Sequence, residues 1–446
     1  MGKRSRFIPL SGGDYFVLAL DHLMRRVDLR GNFCRLVIQL DSTLDRTRFR
    51  SALARSELIN LLCGLHPARR FPYITPKWFT KDEKARVVVT EHAVDASADP
   101  EEVLPASVPE LTSTGARAPG LVFDLVEYSD GRTAIVMTWH HVLMDALGGE
   151  LLVQHLNRDG DGYGPTDGAS EIWRSNGSQS VIRSMLRYPR RLAATRRAVL
   201  FVAKTSRVPI ASLTRSVAGG SGSCTRYHFI SFDEGTTRLI DAHVDQMGAR
   251  YHQGLFFLAS TIQAFHGVLN RRGAGKGAYV VPVPLNLRKR GAMGPVCANP
   301  ITFQFFRIDR GQIGSLSETY VALKEQMVNQ LREGIPRCYV AMMEVFKNVP
   351  LGLYARLVRG PTRGQLSSFF YSYTGETCAG MDHFLGARVR AVRHMAPVAH
   401  PPGVAVVFSR QRSQLSATLS WVDGCFARTE LGLFSDTLRE QLVGGE

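Results

Sequence analysis

A mixed α/β fold in two lobes is the architecture this sequence predicts, and three observations predict it. The chain has 446 residues, too many for one ordinary core and enough for two domains of about 200 residues each. Apolar runs of strand length alternate with stretches of helical periodicity in both halves. Between them, Ile172 to Phe232 contains no acidic residue, a composition break that marks a connection. Lobes are therefore expected over residues 1–170 and 225–446, with a basic connecting segment at 171–224.

The first lobe opens with a dense apolar run, Asn32 to Leu40, of strand character. After it, Ser42 to Leu62 repeats Leu and Ala at helical spacing behind a Ser42/Thr43 cap. Leu121 to Tyr128 and Thr133 to Trp139 are two apolar runs joined by Ser129-Asp130-Gly131-Arg132, whose Asp-Gly pair is a hairpin turn signal. The segment His140-His141-Val142-Leu143-Met144-Asp145 thus follows a buried strand. Beyond it, Leu147, Leu151, Leu152 and His155/Leu156 share one helical face.

The connecting segment carries Arg183, Arg187, Arg190, Arg191, Arg196, Arg197, Lys204, Arg207 and Arg215 interleaved with apolar residues. A basic amphipathic stretch at 183–215 can lie on an anionic membrane or pack as a solvated helix against its own lobe. In the second lobe, strands are expected at Arg226 to Phe232, Ala278 to Val283, Thr302 to Ile308, Ser367 to Ser372, Val404 to Ser409 and Ala417 to Val422. Helices are expected at Asp233 to Gln246, Gly254 to Leu269 and Glu430 to Leu442.

Composition bounds the function. At 44% hydrophobic and 21% charged residues the chain is ordinarily globular. No apolar run approaches the roughly 18 residues of a membrane span. The basic N-terminus lacks the apolar stretch of a secretory signal, so the expectation is a cytoplasmic protein, peripheral at the inner face of the membrane if 183–215 touches lipid. Seven scattered cysteines without a Cys-x-x-Cys pair argue for reduced thiols and against a disulfide framework or a zinc site. The formal charge of +16 fits an acidic partner, whether phosphorylated cofactor, acidic carrier protein, anionic membrane or nucleic acid. Nucleic acid is the least favoured, because aromatic-basic recognition signatures and helix-turn-helix spacing are absent.

The chemistry sits in the paired histidines. On a strand, adjacent side chains point to opposite faces, so one histidine faces a cleft and the other packs into the lobe. That divergence, with no third ligand nearby in sequence, disfavours metal binding, and the bland alternative is two satisfied core histidines.

Strand, His-His-x-x-x-Asp and helix in a chain of this length resemble the chloramphenicol acetyltransferase-like superfamily, which contains nonribosomal peptide condensation domains and wax ester synthases. Pro9-Leu10-Ser11-Gly12-Gly13-Asp14 resembles the opening of the wax ester synthase group, and Val281-Pro282-Val283-Pro284-Leu285-Asn286-Leu287-Arg288 resembles the second-lobe strand that ends in arginine. Ser372-Tyr373-Thr374-Gly375 stands where the family often has a Ser/Asn…Gly strand end. The resemblance implies a V-shaped pair of acetyltransferase-like lobes with a tunnel between them and His141 facing it as general base. It implies supporting roles for His140, Asp145 and Arg288, with Asp145 turned away from the tunnel and paired with Arg288. Ala146, Gly149, Asn286, Ser372 and Thr374 are the candidates to line the tunnel. No bound cofactor or metal is implied. The co-substrate is acyl-coenzyme A or a phosphopantetheinyl carrier protein, and the acceptor is an alcohol or amine. The alternative is a noncatalytic docking or scaffold module of the same fold.

The sequence departs from the pattern in places. Ala146 replaces the usual glycine after the aspartate, which would narrow the tunnel or strain a position needing positive φ. Ala298-Asn299 stands where wax ester synthases tend to have Gly-Asn, and their Asn-Asp helix start appears as Gln253-Gly254. Both point away from a strict wax ester synthase.

Overall fold

The computed structural model of the chain describes residues 8–27, 29, 31–68, 77–80, 87–98, 120–160, 181–214, 225–289, 291–292 and 294–444. Its strands in chain order are β1 (Ile8–Pro9), β2 (Phe33–Leu40), β3 (Leu65–Ala68), β4 (Lys77–Thr80), β5 (Val88–Val94), β6 (Leu121–Tyr128), β7 (Thr133–His140), β8 (Thr225–Ser231), β9 (Ala278–Asn286), β10 (Ile301–Asp309), β11 (Phe370–Glu376), β12 (His383–Phe384), β13 (Ala387–Met395), β14 (Val404–Gln411) and β15 (Gln414–Val422). Its helices are α1 (Gly12–Arg25), α2 (Arg46–Arg55), α3 (Glu57–Gly64), α4 (Ala146–Gly160), α5 (Val181–Thr205), α6 (Glu234–Gln246), α7 (Gln253–Arg271), α8 (Leu316–Arg332), α9 (Ile335–Phe346), α10 (Leu351–Arg359) and α11 (Arg428–Val443).

Two main sheets organise the lobes. A six-stranded sheet runs β12-β13-β2-β7-β6-β5, and a four-stranded sheet runs β11-β14-β15-β8. β7 lies in the middle of the first, antiparallel to β2 and β6, and all eight of its residues are buried. The β6–β7 turn is closed by hydrogen bonds from the Tyr128 N–H to the Arg132 carbonyl and from the Gly131 N–H to the Tyr128 carbonyl, with Gly131 at φ +84°. Such a backbone conformation favours the glycine found there.

One apolar core packs under each sheet. The first is built from Leu36, Ile38, Phe49, Phe123, Ile135, Met137, Trp139 and the inner face of α4, notably Leu152 and Leu156. The second gathers Phe256, Phe257, Phe265, Tyr279, Phe408 and Phe434 around α7. The helix expected over Ser42 to Leu62 is two helices, capped by Asp45 and Ser56. Thr43 does not cap, because its hydroxyl donates to the Gly131 carbonyl and ties this segment to the β6–β7 turn.

The lobes are not the contiguous halves expected from composition. β13, from the second half, completes the first sheet by pairing with β2, and Phe384, Val389 and Val392 belong to the first core. Conversely, α1 places Tyr15, Ala19 and Leu23 in the second core while Val17 stays in the first. Burying both faces of one helix and crossing one strand fastens the lobes together more firmly than a linker would. Within the connecting segment, α5 packs Ala194, Ala198, Phe201 and Val202 against Ile335, Cys338 and Tyr339 of α9. Between Ala194 and Val202 an apolar side of this basic helix is therefore occupied by its own protein, while Arg190, Leu192, Arg196, Arg197, Leu200 and Lys204 are exposed. Arg183, Arg187 and Arg215 have side chains or positions outside the described residues. No helix among the described residues is long and apolar enough to cross a membrane. The six described cysteines are free and buried.

Candidate active site

β7 delivers the paired histidines to the edge of the first core. His140 ends the strand opposite Phe33 and is buried, its ring edge-on to that phenylalanine at 5.1 Å. Its Nδ1 accepts the Val142 N–H at 3.2 Å, and its Nε2 lies 3.1 Å from Asp21 Oδ1. The same carboxylate accepts from the Asn32 N–H and from Arg25 Nε. Burial alone would raise the Asp21 carboxyl, but His140, Arg25 and the Asn32 N–H outweigh it and hold it at about 2. His140 is thereby held within the packed interior.

His141 takes the opposite direction and is only partly buried. Its N–H donates to the Asn32 carbonyl at 2.9 Å, which locks the backbone just past the strand end. Burial pulls its pKa below the ordinary histidine value, against the opposing influence of its own carbonyl, Asp145 and Asn299. The ring Nδ1 is enclosed and makes no hydrogen bond among the described residues.

Asp145 does not serve the histidine as an orienting carboxylate. Its Oδ1 accepts the Gly148 N–H at 2.8 Å, capping α4, and its Oδ2 meets Arg288 Nη1 at 2.6 Å. Arg288, almost completely buried, also donates to the carbonyls of Pro295 and Ala298. The fork of the guanidinium thus joins the histidine motif to the segment that follows β9.

Two groups absent from the expected site complete it. Asn299, fully buried, donates through Nδ2 to Asp14 Oδ1 at 3.0 Å and to the Val142 carbonyl at 3.2 Å, while its N–H also donates to Asp14. Its Oδ1 is left buried without a hydrogen bond. Asp14 is held by the reciprocal cap with Ser11 at the start of α1, and burial pushes its carboxyl up against the hydrogen bonds from Asn299 and Ser11. The Ser11-x-x-Asp14 spacing is a capping-box signal visible in the sequence. Its union with Asn299 is not, since the two lie 285 residues apart.

The remaining candidates are dispersed. Ala146 begins α4 half-buried with negative φ, so the strain expected there is absent. Gly149 is buried against Trp139, where an added Cβ would stand 2.7 Å from the indole, and it faces the core. Asn286 accepts the Arg288 N–H at 2.9 Å at the exposed end of β9. Thr374 bonds Thr377 and the Phe408 carbonyl. Ser372 sits half-buried in β11 beside Val407 of β14. Asn286 and Thr374 are thus engaged in holding loops and strands. Among the described residues, no group of three or more His, Cys, Asp or Glu side chains could hold a metal.

No protein-family model matches the sequence, and no curated protein matches it. Solved structures do. The chain resembles the first condensation domain of the calcium-dependent antibiotic synthetase bound to a substrate analogue, at 15% identity and TM-score 0.69 over 99% of this chain and 98% of that one. It resembles the trichothecene 15-O-acetyltransferase of Fusarium sporotrichioides at 11% identity and TM-score 0.69, over 99% and 97%. It also resembles the epimerization domain from the third module of tyrocidine synthetase B at 12% identity and TM-score 0.60, over 99% and 98%. At these identities the likeness is one of fold: the whole chain adopts the architecture shared by condensation domains and this acetyltransferase.

Proposed function

We propose that the protein is an acyltransferase that moves an acyl group from a coenzyme A or carrier-protein thioester to an alcohol or amine, with His141 as general base. The observation that carries this reading is the divergence of the two histidines. His140 is spent on Asp21 and Val142, whereas His141 is partly open, with Nδ1 enclosed. That leaves Nε2 as the nitrogen an acceptor can approach. A histidine whose pKa is depressed by burial is neutral near pH 7 and can accept a proton.

In the reaction, the acceptor O–H or N–H gives its proton to His141 Nε2 as the heteroatom attacks the thioester carbonyl carbon. The tetrahedral intermediate then collapses, the C–S bond breaks, and the departing sulfur takes the proton back from the imidazolium. No acyl-enzyme is needed. Asn299 favours the charged form of His141 and so supports the imidazolium that forms as the proton is taken. This is the part that an aspartate plays in hydrolytic triads, assigned here to an amide because Asp145 is committed to Arg288.

The test is acceptor-dependent thiol release from acyl-coenzyme A and acyl-carrier-protein donors by the wild type and by His141→Ala. Release that vanishes in a folded His141→Ala protein supports the reading. No release with any donor points to the noncatalytic docking module, and equal release by both removes His141 as the base.

A further inference from the structure

At the far end of the first sheet from His141 lies a second cleft, unrelated to the paired histidines. β2 runs from Phe33, opposite His140, to Leu40, opposite Thr133, so the two regions are separated by about 23 Å at about 3.3 Å per strand residue. The cavity there measures about 730 Å³ and is lined by five arginines, Arg132, Arg388, Arg390, Arg393 and Arg412 among them, brought by the β6–β7 turn, by β13 and by the β14–β15 turn. The acidic groups lining it are Asp41 and Glu234.

The arginines are not equally neutralised. Arg132 pairs with Asp130 and Arg412 with Asp382. The three on β13 are different. Arg388 stands 3.9 Å from Asp41, Arg393 rests on the Ser231 hydroxyl and the Phe229 ring, and Arg390 is exposed with no ion pair among the described residues. Arg388 and Arg390, two exposed guanidinium groups two residues apart on one strand, add to the positive charge of the cleft. Gln411 adds an independent sign. Its Oε1 accepts the Val392 N–H, and its Nε2 is buried in the cleft wall without a partner. A buried donor left unsatisfied is expensive and marks the place of an absent acceptor.

We propose that this cleft binds a small phosphate-bearing polyanion of about nucleotide size. Guanidinium forks suit phosphate oxygens, a cleft lined by five arginines against two carboxylates attracts anions, and the volume lies within the range of small-molecule sites. The free nucleotide and the nucleotide end of coenzyme A share this chemistry. The site does not depend on the acyl-transfer reading, and its test measures binding alone.

The experiment is calorimetric titration of the full chain at low salt with inorganic pyrophosphate, ATP, coenzyme A and, as an uncharged control, adenosine. Pyrophosphate and ATP are expected to bind while adenosine does not, and Arg388→Glu/Arg390→Glu, which changes exposed side chains, should weaken binding at least tenfold with unchanged thermal unfolding. Arg390→Ala alone should weaken it to a lesser degree. Coenzyme A that loses affinity in the double variant and competes with pyrophosphate identifies a coenzyme; coenzyme A that binds unaltered identifies a free nucleotide. Absence of phosphate binding at millimolar concentration, or equal binding by wild type and both variants, overturns the proposal.

Discussion

Arg288 Nη1 lies 2.6 Å from Asp145 Oδ2, across 143 residues of sequence, with the arginine side chain almost completely buried. Removing either partner strands a charge in the interior, which costs about 3 to 5 kcal/mol. Asp145→Ala and Arg288→Ala should each lower the unfolding free energy by that order, and each should lose folded protein before it loses chemistry. A variant with wild-type stability and only a slower rate would show that Asp145 acts on the reaction.

His141 has its pKa drawn below the usual histidine value because its partial enclosure disfavours the charged ring. A base that must be neutral loses activity as pH falls through its pKa, so the acid limb of kcat/KM should lie below about pH 6.5. A limb above that value would contradict the burial argument.

Asn299 favours the charged form of His141, so Asn299→Ala should shift that acid limb further down while lowering kcat by about 10- to 100-fold. A purely structural asparagine would reduce folded protein and leave the limb in place. Measuring the pH profile on the folded fraction separates the two outcomes.

Asp21 carries the linkage between pH and stability. Its folded pKa, about 2, lies beneath the unfolded value near 3.8. The associated stability is complete above about pH 4 and is lost as pH falls toward 2, amounting to about 2 kcal/mol at 1.36 kcal/mol per pH unit. Urea denaturation of wild type and Asp21→Asn between pH 6 and pH 2 should converge at the acid end. Curves that stay parallel throughout would remove Asp21 from that role.

Gly13 packs so closely on the second half that an added Cβ would stand 2.1 Å from the Asn299 carbonyl oxygen. That oxygen belongs to the backbone and cannot swing aside, so Gly13→Ala should destabilise by about 1 to 3 kcal/mol and impair activity through Asn299. Unchanged stability and rate would mean that α1 can move away freely.

The sequence made the first sheet's central strands, the turn at Asp130-Gly131 and the histidine motif legible, because each is a local pattern: unbroken apolar runs, a turn dipeptide and fixed spacing. The crossing strand β13 was missed although Arg388 and Arg390 alternate with Val389 and Ala391 in the manner of a half-exposed strand, a pattern that the register shift between Val389 and Ala391 then breaks. Its partner β2 is remote in sequence, so nothing local said which sheet it would join. The same limit hid Asp14 and Asn299. Each was visible as part of a short motif, but hydrogen bonds across 285 residues follow from tertiary packing alone. Asn286 and Thr374 also hydrogen-bond to backbone groups, the Arg288 N–H and the Phe408 carbonyl, an engagement that spacing in the sequence does not reveal.

The pairing of β2 with β13 also sets an order of events during synthesis. The β7 edge of β2 can be covered once residues 133–140 have been made, whereas its other edge waits for residues 387–395, well after β5, β6 and β7. An apolar strand with one exposed edge is prone to pairing with other chains. A ribosome paused or truncated between β7 and β13 therefore releases a sticky half-sheet, and production of this protein should depend on chaperones that shield that edge until the crossing strand emerges.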